Sequence, residues 1–143
     1  MTSQRGRMLW VWLLAAYLAA LALVGFWPTP VDAPAQGPLS RTLAQLQAAG
    51  VPQSFDYDTV EATANMLIYV PVGFAVTVGF RSSWWQTVAV GACTSACVEL
   101  GQLLFLQHRY PSLIDVATNT AGALLGFLLA RTFQGRRKGV EAN

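Results

Sequence analysis

Glu99 stands in the run Ala92–Leu106, ACTSACVELGQLLFL, which carries no other charge, and Gln102 follows it by three residues. A carboxylate at the centre of a membrane helix costs about 2.5–3.5 kcal/mol on insertion scales, so this one needs a use. The residues able to share that use are Asn65, Ser95, Arg109, Asp115 and Asn119. Amides and a hydroxyl at such positions hydrogen-bond across helices. Arg109 holds an anionic group or a carboxylate. Glu99 and Asp115 together are the minimum set for general acid and base.

Helical phase sorts these side chains. At about 100° per residue, Ser95, Glu99 and Gln102 share one face of their helix, while Cys93 and Cys97 point to the other side. Asp115, Asn119, Gly122 and Gly126 form a second stripe, polar at one end and glycine-rich at the other. Gly122 and Gly126 make the small-xxx-small spacing that lets helices approach closely. Asn65, Tyr69 and Gly73 form a third stripe, and Pro71 in the same helix kinks it or frees a carbonyl. The two cysteines, four apart on one helix, are poorly placed for a disulfide and too few for zinc. Nothing in the sequence calls for a metal or another cofactor.

The elements that must carry these stripes follow from hydropathy. The 143 residues are 54% hydrophobic and 11% charged, with mean hydropathy +0.42, against about 25% charged in ordinary soluble domains. With roughly 20 apolar residues per span, four spans and their connections fill the chain as a single domain, residues 1–143. Spans are expected at about 8–27, 62–80, 84–106 and 113–133. The first is preceded by Arg5 and Arg7 and ended by Pro28 and Pro30; it is longer than the apolar core of a signal peptide, despite an A-x-A pattern at Ala33 and Ala35.

Between the first two spans lies a Pro/Gly-rich outer loop, 28–61, in which Leu39, Leu43 and Leu46 precede Gly50 at helical spacing. They predict a short amphipathic helix, either on the membrane surface or packed on the bundle. The following Phe55–Asp58, FDYD, and the tryptophans of RSSWW, Arg81–Trp85, suit the interface.

The formal net charge is +2 and the pI about 8.8, yet the basic residues sit at helix ends and tails, so no nucleic-acid footprint is present. Arg5, Arg7, Arg81, Arg131, Arg136, Arg137 and Lys138 fall on one side, with only Arg41 and Arg109 on the other. The positive-inside rule then puts both termini in the cytoplasm. By the rise of about 1.5 Å per residue, Glu99 lies roughly 10 Å and Gln102 roughly 6 Å below the outer end of their helix. Asn65, Asp115 and Asn119 fall in the same outer layer.

Three segments in this order, NMLIYVPVGF (Asn65–Phe74), SACVELGQ (Ser95–Gln102) and RYPSLIDVATNTAGALLG (Arg109–Gly126), resemble the VanZ-like family of bacterial membrane proteins. The resemblance covers the last three spans, and more weakly the first span and the outer loop. It implies a multi-pass protein of the bacterial inner membrane, in a family named for a member associated with reduced susceptibility to teicoplanin. No mechanism comes with the name. Positions matching the pattern are Asn65, Pro71, Gly73, Ser95, Glu99, Gln102, Arg109, Asp115, Asn119 and Gly122.

Three readings of the polar layer stand side by side. In the first, its members only hold helices together. In the second, they bind an envelope lipid, a lipid-linked envelope precursor or a lipophilic glycopeptide. In the third, Glu99 and Asp115 work as acid and base on an envelope lipid; against it, no activated nucleophile is evident, and the lone His108 lies in a connection. The partners expected are therefore membrane lipids and lipid-linked or glycopeptide molecules, without nucleic acid, and the sequence is silent on oligomeric state.

Overall fold

The computed structural model describes residues 4–27, 33–106 and 111–140, the last five by backbone alone. Arg109 and His108 lie outside the described residues. Five helices follow in order: α1 (Gln4–Gly25), α2 (Ala33–Ala48), α3 (Tyr57–Phe80), α4 (Trp84–Phe105) and α5 (Leu113–Val140). The described residues are otherwise turns and short connections. Helices α1, α3, α4 and the first part of α5, Leu113–Gly135, are each long and apolar enough to cross a membrane. The architecture is an all-α membrane bundle.

Local chemistry sets the ends. Helix α3 starts five residues before the hydropathy boundary because Asp56 caps it: its carboxylate accepts the Thr59 N–H at 2.9 Å, and Asp58 sits in the first turn, where the helix dipole favours an acid. It ends at Arg81, whose φ of 57° is left-handed. Helix α4 starts at Ser83, whose N–H donates to the Gln86 side chain at 2.9 Å, one half of a capping box.

Helix α2 begins well before Leu39 and carries Pro38 within it. It closes with paired bonds from Val51 N to Leu46 O (3.0 Å) and from Gly50 N to Gln47 O (3.1 Å). This is a Schellman motif, and it needs the φ of +105° that Gly50 supplies. Leu43 is buried, Leu39 is half-buried and Leu46 is exposed. One edge of α2 therefore packs on the bundle, where it touches α3.

The centre of the bundle is the pair α3–α5, the most extensive helix contact among the described residues. Glycine permits it. A Cβ at Gly122 would overlap the Met66 carbonyl, one at Gly73 the Ala123 carbonyl, and one at Gly126 the Val70 carbonyl. Tyr69, Val72 and Val76 form the apolar core, with Leu14, Tyr17, Leu18 and Leu21 of α1 and Val90 of α4 packed against it. Cys93 and Cys97 are unpaired and exposed on the outer face of α4.

Pro71 differs from the helix-packing role expected of it. It is exposed and lines a furrow beside α1. Its ring has no N–H for the Leu67 carbonyl, and the next carbonyl, Ile68 O, accepts the Tyr17 hydroxyl at 2.8 Å.

Candidate functional site

At the Gly25 end of α1, the four spanning helices and an edge of α2 surround a cleft of about 340 Å³. That lies within the roughly 300–1,000 Å³ of small-molecule sites. Asn65, Glu99, Gln102, Asp115 and Asn119 line it; Ala35 and Leu39 of α2 form part of its rim. Ser95 is buried beneath, and Asn119 Nδ2 donates to its hydroxyl at 2.8 Å. The stripes set by helical phase thus meet in one place, apart from Arg109, which is not among the described residues.

Each polar member ties two helices. Asn65 Nδ2 of α3 donates to Asp115 Oδ1 of α5 at 3.0 Å. Gln102 Nε2 of α4 donates to the Gly25 carbonyl at 2.8 Å. That carbonyl is among the last of α1, which have no intrahelical donor, so Gln102 serves as a cap supplied by another helix. The Phe26 ring lies over Gly101 beside it, at a position a Cβ would fill.

Glu99 has a comparable use. Its Oε2 accepts the backbone N–H of Ser112 at 2.8 Å. Ser112 is the N-cap of α5: its hydroxyl accepts the Asp115 N–H at 3.1 Å, and its carbonyl accepts the Val116 N–H at 3.2 Å. In a capping box the acid three residues into the helix reaches back to the N-cap N–H. Here Asp115 occupies that place but turns to Asn65, and Glu99 of the neighbouring helix meets the N-cap instead. A carboxylate beside a helix N-terminus is favoured by the dipole and by the unpaired N–H groups there.

One polar atom is left over. Asn119 Oδ1 is buried and has no hydrogen-bond partner among the described residues, while its residue lines the cleft. A buried acceptor without a donor costs about 1–3 kcal/mol.

Several residues of the site escaped the sequence reading. Glu61 and Tyr57 also line the cleft. Glu61 precedes Asn65 by four, so the stripe through Asn65, Tyr69 and Gly73 extends one turn further out. The helix start at Asp56 was the signal that would have included it. Ser112 was legible as the first residue of S-x-x-D ahead of an apolar run. Away from the cleft, Thr77 and Thr87 are buried in the other half of the bundle, with hydroxyls 3.3 Å apart. Each also donates to a carbonyl of its own helix, Gly73 O at 2.7 Å and Ser83 O at 3.1 Å.

Three carboxylates, Glu61, Glu99 and Asp115, line the cleft, but among the described residues no three His, Cys, Asp or Glu side chains form a metal-binding group. The arrangement offers fixed acceptors and amides around a space of ligand size. Among the described residues it places no base on the Ser95 hydroxyl.

In comparison with known proteins, the family model described as VanZ/LLP1 matches residues 14–134. No curated protein and no solved structure matches the chain.

Proposed function

The chain belongs to the VanZ/LLP1 family, and from that premise we propose that it binds an amphipathic envelope molecule through the cleft between its spanning helices. The ligand classes are an envelope lipid, a lipid-linked envelope precursor or a lipophilic glycopeptide, and the membrane is the bacterial inner membrane. Both termini are assigned to the cytoplasm, so the cleft opens in the outer leaflet, and altered susceptibility to teicoplanin-type antibiotics is one expected consequence of binding. The observation that carries the reading is the buried Asn119 Oδ1, unsatisfied among the described residues at a cleft of about 340 Å³ that Asn65, Glu99, Gln102 and Asp115 also line. A bound hydroxyl or amine supplies the donor that this oxygen lacks.

The structural reading has its own support: Asn65, Gln102 and Asn119 donate to partners on other helices, and Glu99 accepts from the start of α5. Asn119→Leu separates the two. Native mass spectrometry of purified protein, with thermal unfolding in the same detergent, is the test. On the binding reading, Asn119→Leu loses a co-purifying ligand that wild type retains, while the protein still accumulates in the membrane and unfolds near the wild-type temperature. If wild type carries no ligand, or if ligand loss always tracks unfolding, the polar layer is structural.

A further inference from the structure

A second, apolar cavity of about 490 Å³ lies between α1 and α3. Its lining continues that of the polar cleft along both helices. On α3, Ala64 and Ile68 of the cleft and Pro71 and Ala75 of the cavity recur at i, i+4, i+7 and i+11, one face of the helix. On α1, Trp10, Leu13 and Tyr17 of the cavity and Leu21 and Val24 of the cleft repeat the pattern. The two spaces share no lining residue; they lie end to end along the α1–α3 seam and together make up a furrow. The Tyr17–Ile68 hydrogen bond crosses from α1 to α3 where they meet.

The furrow is open along its side and closed at its far end. Leu13 and Ile68 are exposed, at 51% and 38%. Trp10 packs over Gly79, where a Cβ would lie 2.6 Å from the Trp10 Cβ, and Phe74 leans on Trp10 with ring centroids 6.4 Å apart. From Gly25 to Trp10 the length is about 22 Å at 1.5 Å per residue, which matches one leaflet of a bilayer about 40–45 Å thick with its headgroups. Polar groups lie at one end and aromatic and aliphatic carbon at the other, in the order a lipid presents them.

The geometry points to a single occupant of this furrow: a membrane lipid whose polar group sits in the cleft and whose alkyl chain runs between α1 and α3 to the Trp10–Phe74 stop. This rests on the binding reading above and sharpens it, because a molecule without a long chain leaves the apolar end empty. A helix from another protein, about 10–12 Å across, rides over such a furrow rather than entering it.

The probe is a phosphatidylethanolamine with a diazirine midway along one acyl chain. It is incorporated into vesicles of phosphatidylethanolamine and phosphatidylglycerol that contain the protein. After extraction into detergent and removal of loose lipid, the sample is irradiated and adducts are mapped by mass spectrometry. Adducts are expected at Leu13, Tyr17 and Phe74 several-fold above those at Leu124, Leu125 and Leu128 of α5, which are also exposed and lie at a similar depth. Ala75→Phe and, at a more exposed position, Leu13→Trp fill the furrow and lower the remaining adducts there several-fold. Asn119→Leu lowers them too, because one molecule spans both ends.

Equal labelling at Leu124, Leu125 and Leu128, or labelling undiminished in both filling variants, overturns the assignment. So does furrow labelling that survives Asn119→Leu, and so does efficient disulfide formation between two copies of a Leu13→Cys variant, which places a second copy there. A lipid seen in native mass spectra without furrow labelling sinks this inference alone; wild type with no bound molecule sinks the binding reading as well.

Discussion

On its α5 side, α3 brings the Met66 and Val70 carbonyls against Gly122 and Gly126, so that backbone touches backbone. On its α1 side, the same helix offers Ile68, Pro71 and Ala75 to Leu13 and Tyr17, and an open furrow remains. Both seams run along spanning helices, and each carries a hydrogen bond, Asn65–Asp115 in the first and Tyr17–Ile68 in the second. The difference is side-chain size. In a bilayer, lipid tails are as apolar as the helix surface, so helices stay together through close packing and hydrogen bonds. A seam lined by glycine gains close packing where the backbones touch; a seam with branched and aromatic side chains touches at its high points and leaves space between them. One helix can therefore hold the bundle on one face and keep the other for a guest.

The widest test of that contrast is Gly122→Val. With the Met66 carbonyl in the way, the α3–α5 seam must separate, at a cost of about 3 kcal/mol or more; loss of the folded fraction in mixed-micelle unfolding is the expected result. A Gly122→Val protein of wild-type stability would erase the distinction between the seams. Next is Glu99→Ala, which leaves the Ser112 N–H without its acceptor and is expected to cost about 1–3 kcal/mol by the same assay. Glu99→Gln keeps an acceptor and should recover most of that.

The furrow side should respond less. Tyr17→Phe removes the bond to Ile68 O and is expected to cost about 0.6 kcal/mol, the average for interhelical bonds in membranes. Ala75→Phe should shift stability by no more than about 0.5 kcal/mol, because the new ring enters open space; a large loss would mean that this seam is packed after all.

The last test concerns the entrance to α3 and is read by pH. The Thr59 backbone N–H, followed by a hydrogen bond from the Thr59 side chain, holds Asp56 below its ordinary value of 3.8. Its stabilising contribution is therefore present above about pH 4 and is lost as pH falls through the lowered value. Thermal unfolding of wild type against Asp56→Asn should diverge across that acid window, with Asp56→Asn showing the flatter acid limb.

Much of this could be read from the residue order. Apolar runs located four spanning helices, and helical phase put Ser95, Glu99 and Gln102 on one face, where all three are buried. What phase does not give is the partner. Gln102 meets a carbonyl of α1 and Glu99 an N–H at the start of α5, and a backbone group carries no sequence signal of its own. The extra turn of α3 was hidden because hydropathy averages across the polar FDYD, whereas the helix start is set by one capping acid. Pro71 shows a similar limit: its lost N–H is certain from the sequence, but whether its ring packs or stays open depends on the helix beside it.

The Glu99–Ser112 bond has a consequence for the order of assembly. Glu99 belongs to α4 and Ser112 to the start of α5, so their bond forms only once the last helix docks on the one before it. Docking the first turn of α5 therefore completes two things at once, the cap of the last helix and a contact to its predecessor.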